Sequence, residues 1–203
     1  VPVAVAEAGC GDPVEMTEAQ ILDVVKRFVH TATVARDCGF TGVQIHSAHG
    51  YLMSQFLSPL SNRRRDAWGG SLENRARALL EVIRGTRKAV GNDFPIAVKL
   101  NSADFQKGGF TEDESMQVVR WLGEAGIDLL EISGGNYEQM NMVGHPEDPA
   151  ADKKPVAEST RRREAYFLDY ATKVRPIATM PLMITGGFTA RQSMLDALNA
   201  EEL

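Results

Sequence analysis

Apolar positions along the chain alternate between two spacings. After Thr17, the residues Ile21, Val24, Val25, Phe28, Val29 and Ala32 recur three or four apart, the stripe of an amphipathic helix. Thr17 with Gln20 three residues on predicts a capping box at its start, and Gly39 supplies a C-terminal stop. Residues 42–46 then read as a short apolar strand. The pattern repeats. A second helix is expected from near Ser71 to about Val90, with Leu72, Ala76, Leu79, Leu80 and Ile83 on one face and Gly91-Asn92 at its end. Residues 95–100 form a second strand. Thr111 and Glu114 open a third helix, which stops at Gly126. Residues 127–132 form a third strand, closed by Ser133-Gly134-Gly135. A polar, proline-containing loop runs from Asn136 to about Thr160, and loops of that length are usually functional. A helix from about Arg162 to Val174 follows, stopped by Pro176. Residues 181–185 form a fourth strand, closed by Gly186-Gly187, and Thr189 with Gln192 caps a last helix.

Strands that alternate with helices predict an α/β fold with parallel pairing and right-handed crossovers. The strands read as nearly all apolar, which suits a sheet covered on both faces. Each ends on its carboxyl side in polar residues or glycine: His46, then Lys99-Leu100-Asn101, then Ser133-Gly134-Gly135, then Thr185-Gly186-Gly187. One-sided enrichment of this kind is what a (β/α)8 barrel does with its active site. About four βα units are visible, part of a TIM barrel. A doubly wound open sheet also fits the pattern, but no G-x-G-x-x-G follows any strand, which argues against a dinucleotide-binding fold.

Composition narrows the function. The 203 residues are 43% hydrophobic and 24% charged, enough for one globular domain over 1–203 with a real core. A net charge of -5 argues against a general nucleic-acid binder. The run Arg63-Arg64-Arg65 is short and is followed at once by Asp66. Two cysteines, Cys10 and Cys38, make neither a disulfide framework nor a zinc spacing, so a reducing, cytoplasmic setting is the default. No apolar run approaches the roughly 20 residues that span a bilayer, and no signal peptide is visible. The chain starts without Met and ends within a helical pattern, so both ends read as interruptions.

The candidate chemistry centres on His46-Ser47-Ala48-His49-Gly50-Tyr51. Two imidazoles converging on one point can polarise a carbonyl oxygen and stabilise an enolate as it forms. Ser47 and Ala48 are small, which lets the backbone turn between them. The phenol of Tyr51 is a weak acid, suited to protonating a carbanion. One histidine could instead be a buried structural donor. His-x-x-His can also ligate zinc, but no third ligand motif accompanies it, so no metal is expected. Lys99, at the end of a buried strand, should either face a negatively charged ligand or pair with Glu131 of the next strand. Gly186 and Gly187 leave room for backbone N–H groups to approach a phosphate. The dense polar segment holding Arg64, Asp66, Trp68, Gly69, Gly70, Glu73, Asn74 and Arg75 reads as a loop brace and a helix cap.

These residues also carry a resemblance. Residues 42–52, Gln55-Phe56-Leu57-Ser58-Pro59, Ser61-Asn62-Arg63-Arg64 and Gly69-Gly70-Ser71-Leu72-Glu73-Asn74-Arg75 resemble the Old Yellow Enzyme family of NAD(P)H:flavin oxidoreductases. The likeness continues through Arg163-Glu164-Ala165-Tyr166-Phe167-Leu168 and Thr185-Gly186-Gly187-Phe188. It implies a TIM barrel that holds FMN, takes hydride from NAD(P)H and delivers it from flavin N5 to the β-carbon of an α,β-unsaturated carbonyl compound. It further implies that His46 and His49 bind the substrate carbonyl and that Tyr51 protonates the α-carbon. Lys99 would stand where the family usually has an arginine near the flavin, as a point charge rather than a fork. Gly186 and Gly187 would meet the FMN phosphate. Arg65 and Trp68 depart from the family's commoner threonine and tyrosine.

By the same resemblance the four strands are the fourth to the seventh of the parent barrel. The first three and the eighth are absent, the eighth with the Gly-Arg that completes the phosphate cradle. A half-barrel exposes two open edges and, on the reading of apolar strands, an apolar inner face. The expectation is therefore a chain that forms a homo-oligomer or aggregates and holds FMN weakly or not at all. A noncatalytic flavin- or ligand-binding module is the remaining alternative. The 136–160 loop is the expected specificity segment.

Overall fold

The computed structural model describes residues 14–135, 167–188 and 190–200. Their elements, in order, are α1 (Glu18–Asp37), β1 (Val43–Ser47), α2 (Leu52–Leu57), α3 (Leu72–Val90), β2 (Ile96–Asn101), α4 (Glu112–Glu124), β3 (Leu129–Ser133), α5 (Leu168–Val174), β4 (Leu182–Ile184) and α6 (Arg191–Asn199). The expected polar loop, residues 162–166 of the expected fourth helix and the capping residue Thr189 lie outside the described residues.

Local signals placed the long helices well. Thr17 and Gln20 form a reciprocal capping box on α1, and Thr111 and Glu114 do the same on α4. Each box satisfies backbone donors that a helix start otherwise leaves open. Ser71 caps α3 by accepting from the Asn74 amide. Two helices differ from expectation. α5 starts at Leu168, with Phe167 as its non-helical N-cap, inside the span expected from about Arg162 to Val174. α6 has Ala190 at its N-cap and no side-chain cap bond. A third helix, α2, was not expected. It is six residues long and buries Met53, Ser54, Phe56 and Leu57. So short a helix owes its order to packing rather than to propensity.

The four strands are all parallel, in the order β1-β2-β3-β4. Successive right-handed crossovers between neighbouring strands put every connecting helix on the same face of the sheet. That is the winding of a barrel wall, and it rules out the doubly wound alternative.

Strand register divides the side chains sharply. Ile45, Val98, Leu130 and Leu182 are paired across the sheet, as are Leu100, Ile132 and Ile184. They join one buried cluster with Leu79, Val82 and Ile83 of α3 and Val118 and Leu122 of α4. The opposite, inner face carries Gln44, His46, Lys99, Asn101, Glu131 and Ser133, since laterally paired residues point the same way. The expected apolar inner face is therefore corrected: it is largely polar. The strands alternate, and in the sequence the polar half of each is masked by the bulk of the apolar half. Two open edges remain, since β1 and β4 each pair on one side only among the described residues. No described helix is long and apolar enough to cross a membrane.

Candidate active site

β1 delivers His46 to the inner face near its carboxyl end, and the chain then turns tightly. Ala48 is fully buried. His49 adopts φ 61° and Gly50 φ 76°. The left-handed region is uncommon for a residue with a Cβ, so something must hold His49 there. Asn101 does: the His49 backbone N–H donates to Asn101 Oδ1 at 3.1 Å, and Asn101 Nδ2 donates to the Gly135 carbonyl at 2.9 Å. Asn101 is itself anchored from behind. The Tyr170 hydroxyl donates to Ser115 Oγ at 2.6 Å, and Ser115 Oγ donates to the Asn101 carbonyl at 2.8 Å. Burial pushes the Tyr170 phenol well above its ordinary range, so it is a fixed donor. Tyr51 then serves as the N-cap residue of α2, leaving its side chain half exposed at the site's rim.

The turn brings the three predicted residues together. The His46 and His49 rings lie 5.1 Å apart at 87°, and the His46 and Tyr51 rings 4.9 Å apart at 66°. The Ala48 N–H donates to His46 Nδ1 at 3.2 Å. That nitrogen must carry a lone pair, so the proton of neutral His46 sits on Nε2. His49 Nε2 lies 2.7 Å from Ser133 Oγ. Burial lowers the His46 pKa, with Lys99 adding to the effect and Glu131 opposing it. Burial, then His46 and Lys99, lower His49 likewise, again against Glu131. Both shifts favour the neutral imidazole, and for His46 the tautomer leaves Nε2–H as the donor.

Lys99 resolves to the pairing the sequence left open: its Nζ meets Glu131 Oε1 at 2.8 Å. Its ammonium still lies on the inner face, within electrostatic reach of both histidines. Gly186 (φ 104°) and Gly187 (φ 82°) form a turn just past β4. A Cβ added at Gly186 would meet nothing within 4 Å, so the space beside this turn is open.

The polar segment after α2 is a brace, as expected. Asn62 Nδ2 donates to the Phe56 and Trp68 carbonyls, both at 2.8 Å. Arg64 donates to the Met16 carbonyl at 2.6 Å, and buried Arg75 donates to the Leu57 carbonyl and pairs with Glu114. These bonds tie α2 and the histidine turn to α1, α3 and α4.

Sequence reasoning missed Asn101, Ser133, Glu131, Gln44 and Thr185 as site residues. The signal was present in strand parity. Gln44 and His46, then Lys99 and Asn101, then Glu131 and Ser133, each sit two apart between buried apolar residues.

A singly wound parallel sheet with donors, a cation and a glycine turn at its carboxyl ends is a sector of a (β/α)8-barrel enzyme. Residues 2–202 match the model of the NADH:flavin oxidoreductase / NADH oxidase family, and the chain belongs to that family. It is 38% identical over 192 residues to an NADH-dependent flavin oxidoreductase of Talaromyces variabilis, covering 94% of this chain and 45% of that protein. It is 34% identical over 189 residues to an NADH oxidase of Thermoanaerobacter brockii, covering 91% of this chain and 27% of that protein. Among solved structures, a 2-naphthoyl-CoA reductase with 2-naphthoyl-CoA superposes with a TM-score of 0.79 at 30% identity, over 94% of this chain and 27% of that one. An Old Yellow Enzyme homologue from Zymomonas mobilis shares the fold, with a TM-score of 0.67 at 21% identity, over 94% of this chain and 49% of that one. The chain thus spans less than half the length of these relatives.

Proposed function

We propose that the protein carrying this chain is an FMN-dependent NAD(P)H oxidoreductase that reduces the activated C=C bond of α,β-unsaturated carbonyl compounds. The observation that carries the reading is the His46–His49 pair of neutral rings with the Tyr51 ring 4.9 Å from His46.

The residues present fit the flavin that the family uses. A Cβ added at Gly186 would meet nothing within 4 Å, and the Gly186–Gly187 turn lies just past the carboxyl end of β4, where a helix start follows. Lys99 stands on the same inner face as a partly exposed cation. Lys99 would hold the isoalloxazine ring's electron-rich edge, and Gly186 and Gly187 the phosphate. Bound FMN supplies the hydride transfer, from NAD(P)H and then to the alkene.

This chain's residues do the rest. His46 Nε2–H is fixed by its tautomer and points its proton at the substrate carbonyl. His49 Nε2 rests on Ser133 Oγ until a substrate oxygen takes that place, so the exchange conserves one hydrogen bond. Because both rings are neutral, they polarise the carbonyl without giving up a proton to it. Oriented donors of this kind are typically worth on the order of 3–4 kcal/mol each. Tyr51 holds the remaining proton at its hydroxyl and gives it to the α-carbon as charge develops there.

A second reading, a flavin-binding module without turnover, draws on the Lys99–Glu131 pair, which leaves the inner face with little net positive charge. Replacing Tyr51 by Phe separates the two: an enzyme loses turnover, and a binder keeps its affinity and has no turnover to lose. The open edges β1 and β4 support self-association through the ends of the sheet. Size-exclusion chromatography with light scattering tests that, and a monomer at high concentration refutes it.

A further inference from the structure

Glu131 is the buried charge that the proposed chemistry leaves without a task. It sits mid-strand on β3, 3% exposed, on the inner face. Its Oε1 accepts from Lys99 Nζ at 2.8 Å and from the Thr185 hydroxyl, and its Oε2 accepts from Gln44 Nε2 at 2.7 Å. Gln44 comes from β1, Lys99 from β2 and Thr185 from the residue after β4. Three strands and the residue that follows the fourth therefore converge on one carboxylate.

Burying a carboxylate is costly, and an apolar residue of similar volume serves packing equally well. Burial alone would raise the Glu131 carboxyl, but the bonds from Lys99, Thr185 and Gln44 outweigh it and hold the group below the usual carboxylate range. The group is thus a permanent anion with its acceptor capacity filled from three directions. Lysine is a flexible point charge on a four-carbon stem. Without a fixed acceptor, Lys99 would sample many positions over the inner face. Thr185 adjoins Gly186 directly, so the same carboxylate also anchors the glycine turn.

We infer that Glu131 is the positioning residue of the flavin site, fixing where Lys99 presents its ammonium and tying the Thr185–Gly187 turn to the same point. The inference rests on the reading of Lys99 as a flavin contact. Glu131 itself touches neither flavin nor substrate. It acts through Lys99 and Thr185.

The test is a double-mutant cycle in the purified protein with Glu131→Met, Lys99→Met and the pair together. Glu131→Gln serves as the shape-preserving variant. The pair of apolar replacements keeps the fold available for measurement even where a lone buried charge would not. The first readout is FMN affinity, by fluorescence quenching on adding FMN to flavin-free protein. Each single change is expected to weaken binding about tenfold, the size of one charge-assisted hydrogen bond. The double variant should be no weaker than Lys99→Met alone. The second readout is the titration of His46 and His49 by NMR without flavin. Glu131→Gln should lower both pKa values further and Lys99→Met should raise them, because the two charges act on the rings with opposite sign. That titration checks that both charges face the histidines, while the loss of additivity between Glu131→Met and Lys99→Met is the result that a merely structural brace would not produce. If Lys99→Met weakens FMN binding but Glu131→Met does not, or the losses multiply, the inference is overturned and the Lys99 reading stands. If Lys99→Met leaves FMN binding unchanged, the Lys99 reading fails and the inference falls with it.

Discussion

Replacing Asn101 by alanine tests how the His49 donor is held. The substitution removes two side-chain hydrogen bonds, one to the His49 amide at 3.1 Å and one to the Gly135 carbonyl at 2.9 Å. Asn101 is 1% exposed, so water does not readily replace it. A buried polar group left without a partner costs about 1–3 kcal/mol. Gly135 is buried and falls in the upper part of that range, while half-buried His49 can recruit solvent and falls in the lower part. The expected loss of stability is on the order of 2–4 kcal/mol, read as a shift in the urea unfolding midpoint. Function should fall further than stability. His49 has no other described anchor for its left-handed backbone, so it is expected to relax and carry its ring away from His46. A displacement of about 1 Å at a catalytic group can cost on the order of 100-fold. We expect that loss in kcat/KM for NAD(P)H-dependent enone reduction. Asn101→Asp makes the contrast, because it keeps the acceptor for His49 while losing the donor to Gly135 and burying a carboxylate, so it should cost at least as much stability as Asn101→Ala. It should retain much of the activity that Asn101→Ala loses. If Asn101→Ala stays within twofold of the wild-type kcat/KM while losing stability, the argument that Asn101 positions His49 is wrong.

Two further predictions follow from the same residues. Acid should destabilise the protein in two stages. His46 and His49 have lowered pKa values, so the unfolded chain binds protons more readily, and stability falls as pH drops below about 6.5. Glu131 is also lowered, so its share is present above the ordinary carboxylate range and lost as pH falls through its folded value. Thermal melts from pH 8 to 4 check this, and a His46→Ala/His49→Ala variant with an unchanged upper slope would count against it. Gly186→Ala should cost about 1–2 kcal/mol for a side chain at φ 104°, with no steric clash. Its FMN affinity should fall more than its melting temperature does, and equal affinity would detach this turn from the flavin.

Much of the frame was legible because local signals agreed with the global fold. The capping boxes at Thr17 and Thr111 and the stops at Gly39 and Gly91 marked the helices within a few residues. The histidine turn was legible because its polar residues stand at the end of an apolar strand. The support for that turn was not. Asn101 and Ser133 act through partners 52 and 84 positions away, which only strand register brings together. Lys99 could be given two fates from sequence, and choosing between them required the lateral pairing Lys99↔Glu131. The polarity of the inner face was not legible because Ile45, Val98 and Leu130 alternate with the polar residues in strands too short to show the period clearly. α2 was hidden because six residues hold too few turns to show a period.

The central claim is that Tyr51 delivers a proton while His46 and His49 hold the carbonyl. Stopped-flow measurement of the two half-reactions of Tyr51→Phe tests it most directly. The account predicts that NAD(P)H oxidation stays within twofold of wild type while enone reduction slows on the order of 10²–10⁴-fold, the usual worth of a positioned acid. Enone reduction at the wild-type rate, with substrate still bound, would contradict it.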